Sequence, residues 1–401
     1  MRELERGPAP LLFAALGTLV FLNVYAPQSL LSLLSREFRV GAAEVGTVIG
    51  ATTLAMALAS PFVGVLADAL GRRRVVVWAY ALLVLPAVAA VFAPTLGTLN
   101  LARFAQGLLI PGVMVALNAY IAEEVPPAGR ARALTAYVTG TVLGGFLGRF
   151  LAGLVADFQS WHAAFWLLAL ASLAGWGLAR TLPREAGFTP RRDPRVVVAG
   201  LGAHLRNPAL LATCAVGFLI LFTLVGLFNT LTLRLAGAPY GLTTAQTGGV
   251  FAVYLLGVAV TPLAGPLLAA RGPRTALLTA VGASLVGLLL TLAAPLPLVV
   301  AGVAAAACGV FLSQSAALAA VQRSVTGARS LATGLYHSAY YGGAALASVV
   351  AGQVFAARGW AGVAALVMGS MALAGLVGAR GWRRVGSTGV PMPGDPAPTR
   401  G

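Results

Sequence analysis

Lysine is missing from this 401-residue chain, and acids are few: the 27 basic residues are all arginine, against 11 Asp and Glu, and charged residues make up only 9%. A water-facing surface needs about a quarter of its residues charged, so a soluble globular domain is excluded. Cysteine is nearly absent too. Cys214 and Cys308 fall in separate apolar runs, with no spacing that suits a disulfide framework or a metal, and read as small core residues. No metal and no cofactor are expected. The apolar runs hold no cluster of nucleophile, base and oxyanion donors, which leaves a membrane-embedded enzyme as a remote alternative. They also lack the repeated carbonyl-rich filter or ring-forming charges of a channel.

What the chain has is apolar length. Hydrophobic residues make up 59%, and one ~30 Å bilayer crossing takes about 20 of them. Twelve segments qualify: 11–34, 43–68, 75–93, 97–122, 132–156, 161–182, 209–235, 245–270, 275–293, 297–322, 330–356 and 361–380. Each is continuously apolar rather than alternating, so each predicts a helix and not a barrel strand. The first is too long and lacks the cleavage site of a removable signal, so it is expected to stay as span 1. The class is an all-α integral membrane protein with twelve transmembrane helices.

Arginine placement orients them. Arg36, Arg39, Arg234 and Arg358 border one side and Arg103 and Arg149 lie within spans; all the others, Arg191 and Arg192 among them, border the opposite side. The asymmetry places both termini in the cytoplasm and argues against nucleic acid as the partner of the +16 net charge.

Between spans 2 and 3 the chain reads Gly64-Val65-Leu66-Ala67-Asp68-Ala69-Leu70-Gly71-Arg72-Arg73-Arg74. Gly64 and Asp68 share one helix face, the glycine admitting a neighbouring helix and the carboxylate reaching that neighbour's end. The stretch resembles the signature loop of the major facilitator superfamily, Gly-x-Leu-x-Asp-x-x-Gly-Arg-Arg-Arg, at every fixed position. Arg103-Phe104-Ala105-Gln106-Gly107 resembles the second motif of that superfamily, in span 4, whose arginine is linked to proton coupling or substrate binding. In span 5, Gly144-Gly145 followed by Gly148-Arg149 looks like the arabinose-efflux-permease-like branch. It departs from the drug-antiporter signature, which has a proline after a late glycine. Asn23, Tyr25 and Gln28 around Pro27 resemble the opening span of bacterial efflux permeases, and equally suit hydrogen bonds between helices.

The two halves repeat. At an offset of 201, Gly64, Leu66 and Gly71 meet Gly265, Leu267 and Gly272; at 199, Arg130, Tyr137, Gly144, Gly153 and Trp161 meet Arg329, Tyr336, Gly343, Gly352 and Trp360. Duplicated six-helix bundles follow: residues 1–182, a basic inner loop at 183–208, residues 209–380, and a disordered cytoplasmic tail at 381–401. Arg149 meets Ser348, Arg103 meets Ala304 and Asp68 meets Ala269. The shared geometry does not need these charges, so they are candidates for function.

The resemblance implies a secondary active carrier of the bacterial inner membrane, working by alternating access as a monomer in the bilayer, with a small-molecule substrate and protons as the coupling ion. Asp68, accepting from the start of span 11 near Ser330, and Arg72, Arg73 and Arg74, facing Glu123 and Glu124, would form a latch with Gly64 and Gly71. Candidates for the substrate and proton cavity are Asn23, Tyr25, Gln28, Arg103, Gln106, Arg149, Asn229, Tyr254, Gln314, His337, Tyr340 and Tyr341. No carboxylate sits at mid-membrane, so proton-coupled efflux would run through His337, Asp68 or a substrate-linked arginine. The same absence supports the alternative, an organic-anion exchanger or facilitator that uses Arg103 and Arg149 as ligands.

Overall fold

A computed structural model describes residues 10–185, 202, 204–325 and 329–383, apart from the side chains of 258, 259, 261–264, 329 and 330. Most of the expected inner loop, with Arg191 and Arg192, and nearly all of the expected tail lie outside those residues.

Twelve helical spans run through the described residues. They are α1 (Pro10–Phe38), α2 (Ala42–Leu70), α3 (Arg72–Val91), α4 (Leu96–Glu124), α5 (Pro127–Phe158), α6 (Trp161–Arg180), α7 (Pro208–Ala236), α8 (244–271), α9 (273–290), α10 (Leu296–Ser324), α11 (329–358) and α12 (360–381). The breaks between α8 and α9 and between α11 and α12 are single glycines, Gly272 at φ 72° and Gly359 at φ 60°. Only a residue without a Cβ takes that conformation cheaply, so each glycine reverses the chain with no loop. Gly71, at φ 96°, does the same between α2 and α3.

Helix starts are written locally. Thr95 caps α4, Ser160 caps α6, Asn207 caps α7, and Thr243 with Gln246 forms a capping box on α8. Span α1 is interrupted by a 3-10 turn at Ala26–Leu30 that contains Pro27. Proline has no N–H, so the carbonyl of Asn23 loses its helical partner there.

Inside each bundle, glycines let backbones touch. A Cβ at Gly148 of α5 would lie 2.7 Å from the Leu22 carbonyl of α1. Gly144 abuts Thr18 of α1, and its repeat counterpart Gly343 of α11 abuts Phe218 of α7, so the duplication inferred from sequence is visible as the same packing in both halves. Outward faces are apolar and exposed, as at Leu11, Trp78, Leu85 and Phe158, which suits a bilayer surround. The architecture is two pseudo-symmetric six-helix bundles.

Candidate functional site

The bundles meet along two helix pairs, α2 with α11 and α5 with α8. Near the α1–α2 turn both pairs are tight. A Cβ on Gly352 would lie 2.6 Å from the Ala42 carbonyl, and one on Gly153 would lie 2.5 Å from the Thr244 carbonyl. One step deeper, Gly46 abuts the Ser348 backbone, and a Cβ on Gly248 would lie 2.9 Å from the Arg149 carbonyl. Contact along α2 continues through Ala57, whose carbonyl accepts from Ser338 Oγ at 2.7 Å, to Pro61 beside Gly334. Beyond it, no described atom of another helix lies within 4 Å of where a Cβ would sit on Gly64, and the same holds for its counterpart Gly265. Among the described residues the seam is therefore shut at the end bearing Asp157 and parted, at Gly64 and Gly265, toward the end bearing Asp68.

Across the shut part runs a string of buried polar side chains. Arg149 Nε donates to Gln28 Oε1 at 2.7 Å, Gln28 Nε2 donates to Asn229 Oδ1 at 2.5 Å, and Asn229 Nδ2 donates to Ser348 Oγ at 3.3 Å. Arg149 also donates to the Gly145 carbonyl and to Tyr254 Oη at 3.3 Å. Its guanidinium carbon lies 4.8, 4.8 and 4.3 Å from the ring centres of Tyr25, Phe251 and Tyr254. Cation–π contact with desolvated rings holds the charge where no carboxylate is present among the described neighbours.

Arg103 is held differently. Nη1 donates to the Asn23 carbonyl at 2.9 Å and to Gln106 Oε1, and Nη2 donates to the Val24 carbonyl at 2.7 Å. The Asn23 carbonyl is the one that Pro27 leaves without a helical donor, so a proline in α1 creates the acceptor that an arginine of α4 fills. The Asn23 side chain faces inward to its own bundle, donating to the Leu19 carbonyl and accepting from Ser172 Oγ.

A third group lies on α11. Tyr336, His337, Tyr340 and Tyr341 form one aromatic cluster, with His337 stacked 6.2 Å from Tyr341, and Tyr341 Oη reaches Met114 Sδ of α4 at 3.9 Å. Gln314 stands half-buried on α10.

At the parted end, Asp68 accepts from Arg72 Nη2 at 2.9 Å, and the same nitrogen donates to Glu123 at 2.8 Å. Arg73 turns away from the expected partners Glu123 and Glu124; it donates to the carbonyls of Leu182 and Arg180 at 2.6 and 2.8 Å, at the C-terminus of α6 where carbonyls lack helical donors. The side chain of Ser330 lies outside the described residues.

Sequence reasoning named Gln28, Arg149 and Asn229 separately but missed that they touch. The signal was available, since Asn229 stands 201 residues after Gln28, the offset of the repeat. Asp157 was missed as a functional residue altogether.

The fold and seam define a two-bundle membrane carrier. The sequence profile of the Major Facilitator Superfamily matches residues 13–243. The chain is 34% identical over 379 residues to the inner membrane transport protein YnfM of Escherichia coli (strain K12), covering 93% of this chain and 90% of that one. An uncharacterized transporter of Buchnera aphidicola subsp. Schizaphis graminum is 30% identical over 250 residues, 62% of this chain and 60% of that protein. The crystal structure of a point mutant of the nucleoside transporter NupG superposes with a TM-score of 0.75 at 15% identity, covering 93% of this chain and all of that one. The chain belongs to the major facilitator superfamily and is a multi-pass membrane transporter, not an enzyme.

Proposed function

We propose that the protein exports a small organic compound by alternating access, with protons as the coupling ion. The observation that supports alternating access is the state of the seam: among the described residues both inter-bundle helix pairs are shut toward Asp157 and parted, at Gly64 and Gly265, toward Asp68. A carrier that rocks about a central site must pass through such a half-open geometry. With the arginine-rich side in the cytoplasm, the open mouth faces inward, ready to load cargo from the cell. Asp68 then engages the start of α11 only in the opposite conformer; in this one it is held by Arg72.

The alternative, an organic-anion exchanger, has one observation in its favour. Arg103 Nε and Gln106 Nε2 are buried donors without a partner among the described residues, and an acceptor on the substrate would meet both. Transport in proteoliposomes separates the readings. Export predicts uptake driven by an imposed pH gradient for neutral or lipophilic compounds; anion exchange predicts uptake that depends on a trapped counter-anion and is lost in Arg103→Ala.

A further inference from the structure

We infer that Asp157 is the latch of the gate opposite Asp68, joining α5 of one bundle to the N-terminus of α8 of the other. The first turn of any helix leaves N–H groups without intrahelical acceptors. In α8 those of the first three residues are all met. Thr243 Oγ1 accepts from Gln246 N at 3.2 Å within the helix, while Asp157 Oδ1 accepts from Thr244 N at 3.1 Å and Oδ2 from Ala245 N at 2.8 Å. One carboxylate from the facing bundle thus satisfies two backbone donors, at the end of a helix where the dipole favours negative charge.

The contact belongs to the gate rather than to either bundle. It sits next to the closest backbone approach of α5 and α8, where Gly153 meets Thr244. Separating the helices there removes both bonds at once. The repeat marks it as a specialisation. At the offset of 199, Asp157 meets Ala356, so the start of α2, which occupies the place of α8 in the other half, is offered no acid from the equivalent position of α11. Asp68 has Ala269 as its counterpart. Each gate then carries one acid on the N-terminal bundle: Asp157 is bonded to a helix start of the C-terminal bundle in this conformer, and Asp68, held here by Arg72, is left to meet the start of α11 in the opposite one. One latch is engaged when the other is released.

The inference rests on the alternating-access reading, and the test separates the two. Spin labels are placed at Glu37 and Gly237 for the Asp157 end, and at Leu70 and Ala270 for the Asp68 end, in full-length protein reconstituted in lipid. In Asp157→Asn the share of molecules with the Asp157 end open rises at least about fivefold, the lower range for coupling between sites. Asp157→Ala raises it further, Asp157→Glu restores it toward the parent, and Asp68→Asn moves the balance the other way. A parent that exchanges between two distances whose ratio is unchanged in Asp157→Asn and Asp157→Ala overturns the latch alone. A single fixed distance at both ends in every variant overturns alternating access and the latch with it. A variant that does not fold is recognised by loss of the monodisperse peak, and Asp157→Glu then carries the comparison.

Discussion

Gln28 of α1 and Asn229 of α7 occupy the same position in the two halves of the repeat, 201 residues apart, and are hydrogen-bonded to each other at 2.5 Å across the bundle boundary. Arg149 and Ser348, also counterparts, flank them on either side. The string is buried throughout. A contact between equivalent residues of two bundles lies on the axis that relates them, where rocking displaces it symmetrically.

Removing one end of that bond leaves the other buried without a partner, which costs about 1–3 kcal/mol. Gln28→Ala and Asn229→Ala are each expected to disfavour the conformer shut at the Asp157 end by roughly that amount. The double mutant should lose less than the sum, because the second change removes an already orphaned group. Distance distributions from spin labels at the two mouths check this.

Arg149→Lys keeps a charge but not the fork. The fixed geometry that serves Gln28, the Gly145 carbonyl and Tyr254 while lying against three rings belongs to guanidinium. Transport by Arg149→Lys is expected to fall close to that of Arg149→Ala, and initial rates in proteoliposomes measure it. Near-parental rates would mean that charge alone matters there.

Glycines on the seam should divide by gate. Gly352→Ala places a methyl 2.6 Å from the Ala42 carbonyl in the conformer described. Overpacking of that kind costs about 1–3 kcal/mol, so the variant should populate the state open at the Asp157 end. Gly64→Ala meets no described atom here and should leave this conformer unstrained, impairing only closure at the Asp68 end. Protection of single cysteines from a membrane-impermeant reagent, applied from each side, reads both effects.

Asp68→Asn keeps the fold, since its described partner is Arg72 on the next helix start, and is expected to slow transport about tenfold by weakening the opposite closure. Full transport by that variant in vesicles would remove Asp68 from the mechanism.

The spans, the repeat and the 64–74 stretch were legible in sequence because each is a local pattern of hydrophobicity, glycine or charge. The chain reversals at Gly272 and Gly359 fall in the gaps the sequence leaves between spans 8 and 9 and between spans 11 and 12; what the sequence does not show is that a single glycine at positive φ makes each of them. Arg73 was read toward Glu123 and Glu124 because charge pairing is the visible signal; it went instead to the carbonyls at the end of α6, whose unmet acceptors carry no mark in a sequence. Arg103 and Arg149 looked unpaired because their partners are backbone carbonyls, amides and aromatic faces rather than acids. Asp157 was passed over because it sits beside an interface, where an acid is ordinary; its meaning depends on a helix start 87 residues away.

The central claim is that the two mouths open in opposition. The direct measurement is the Glu37–Gly237 and Leu70–Ala270 distance distributions of the parent protein in lipid, recorded with and without an imposed pH gradient. The account predicts two populations in each pair, with the long distance at one mouth gaining in the same proportion as the long distance at the other loses. Distances that lengthen together, or that keep a single value under both conditions, would contradict it.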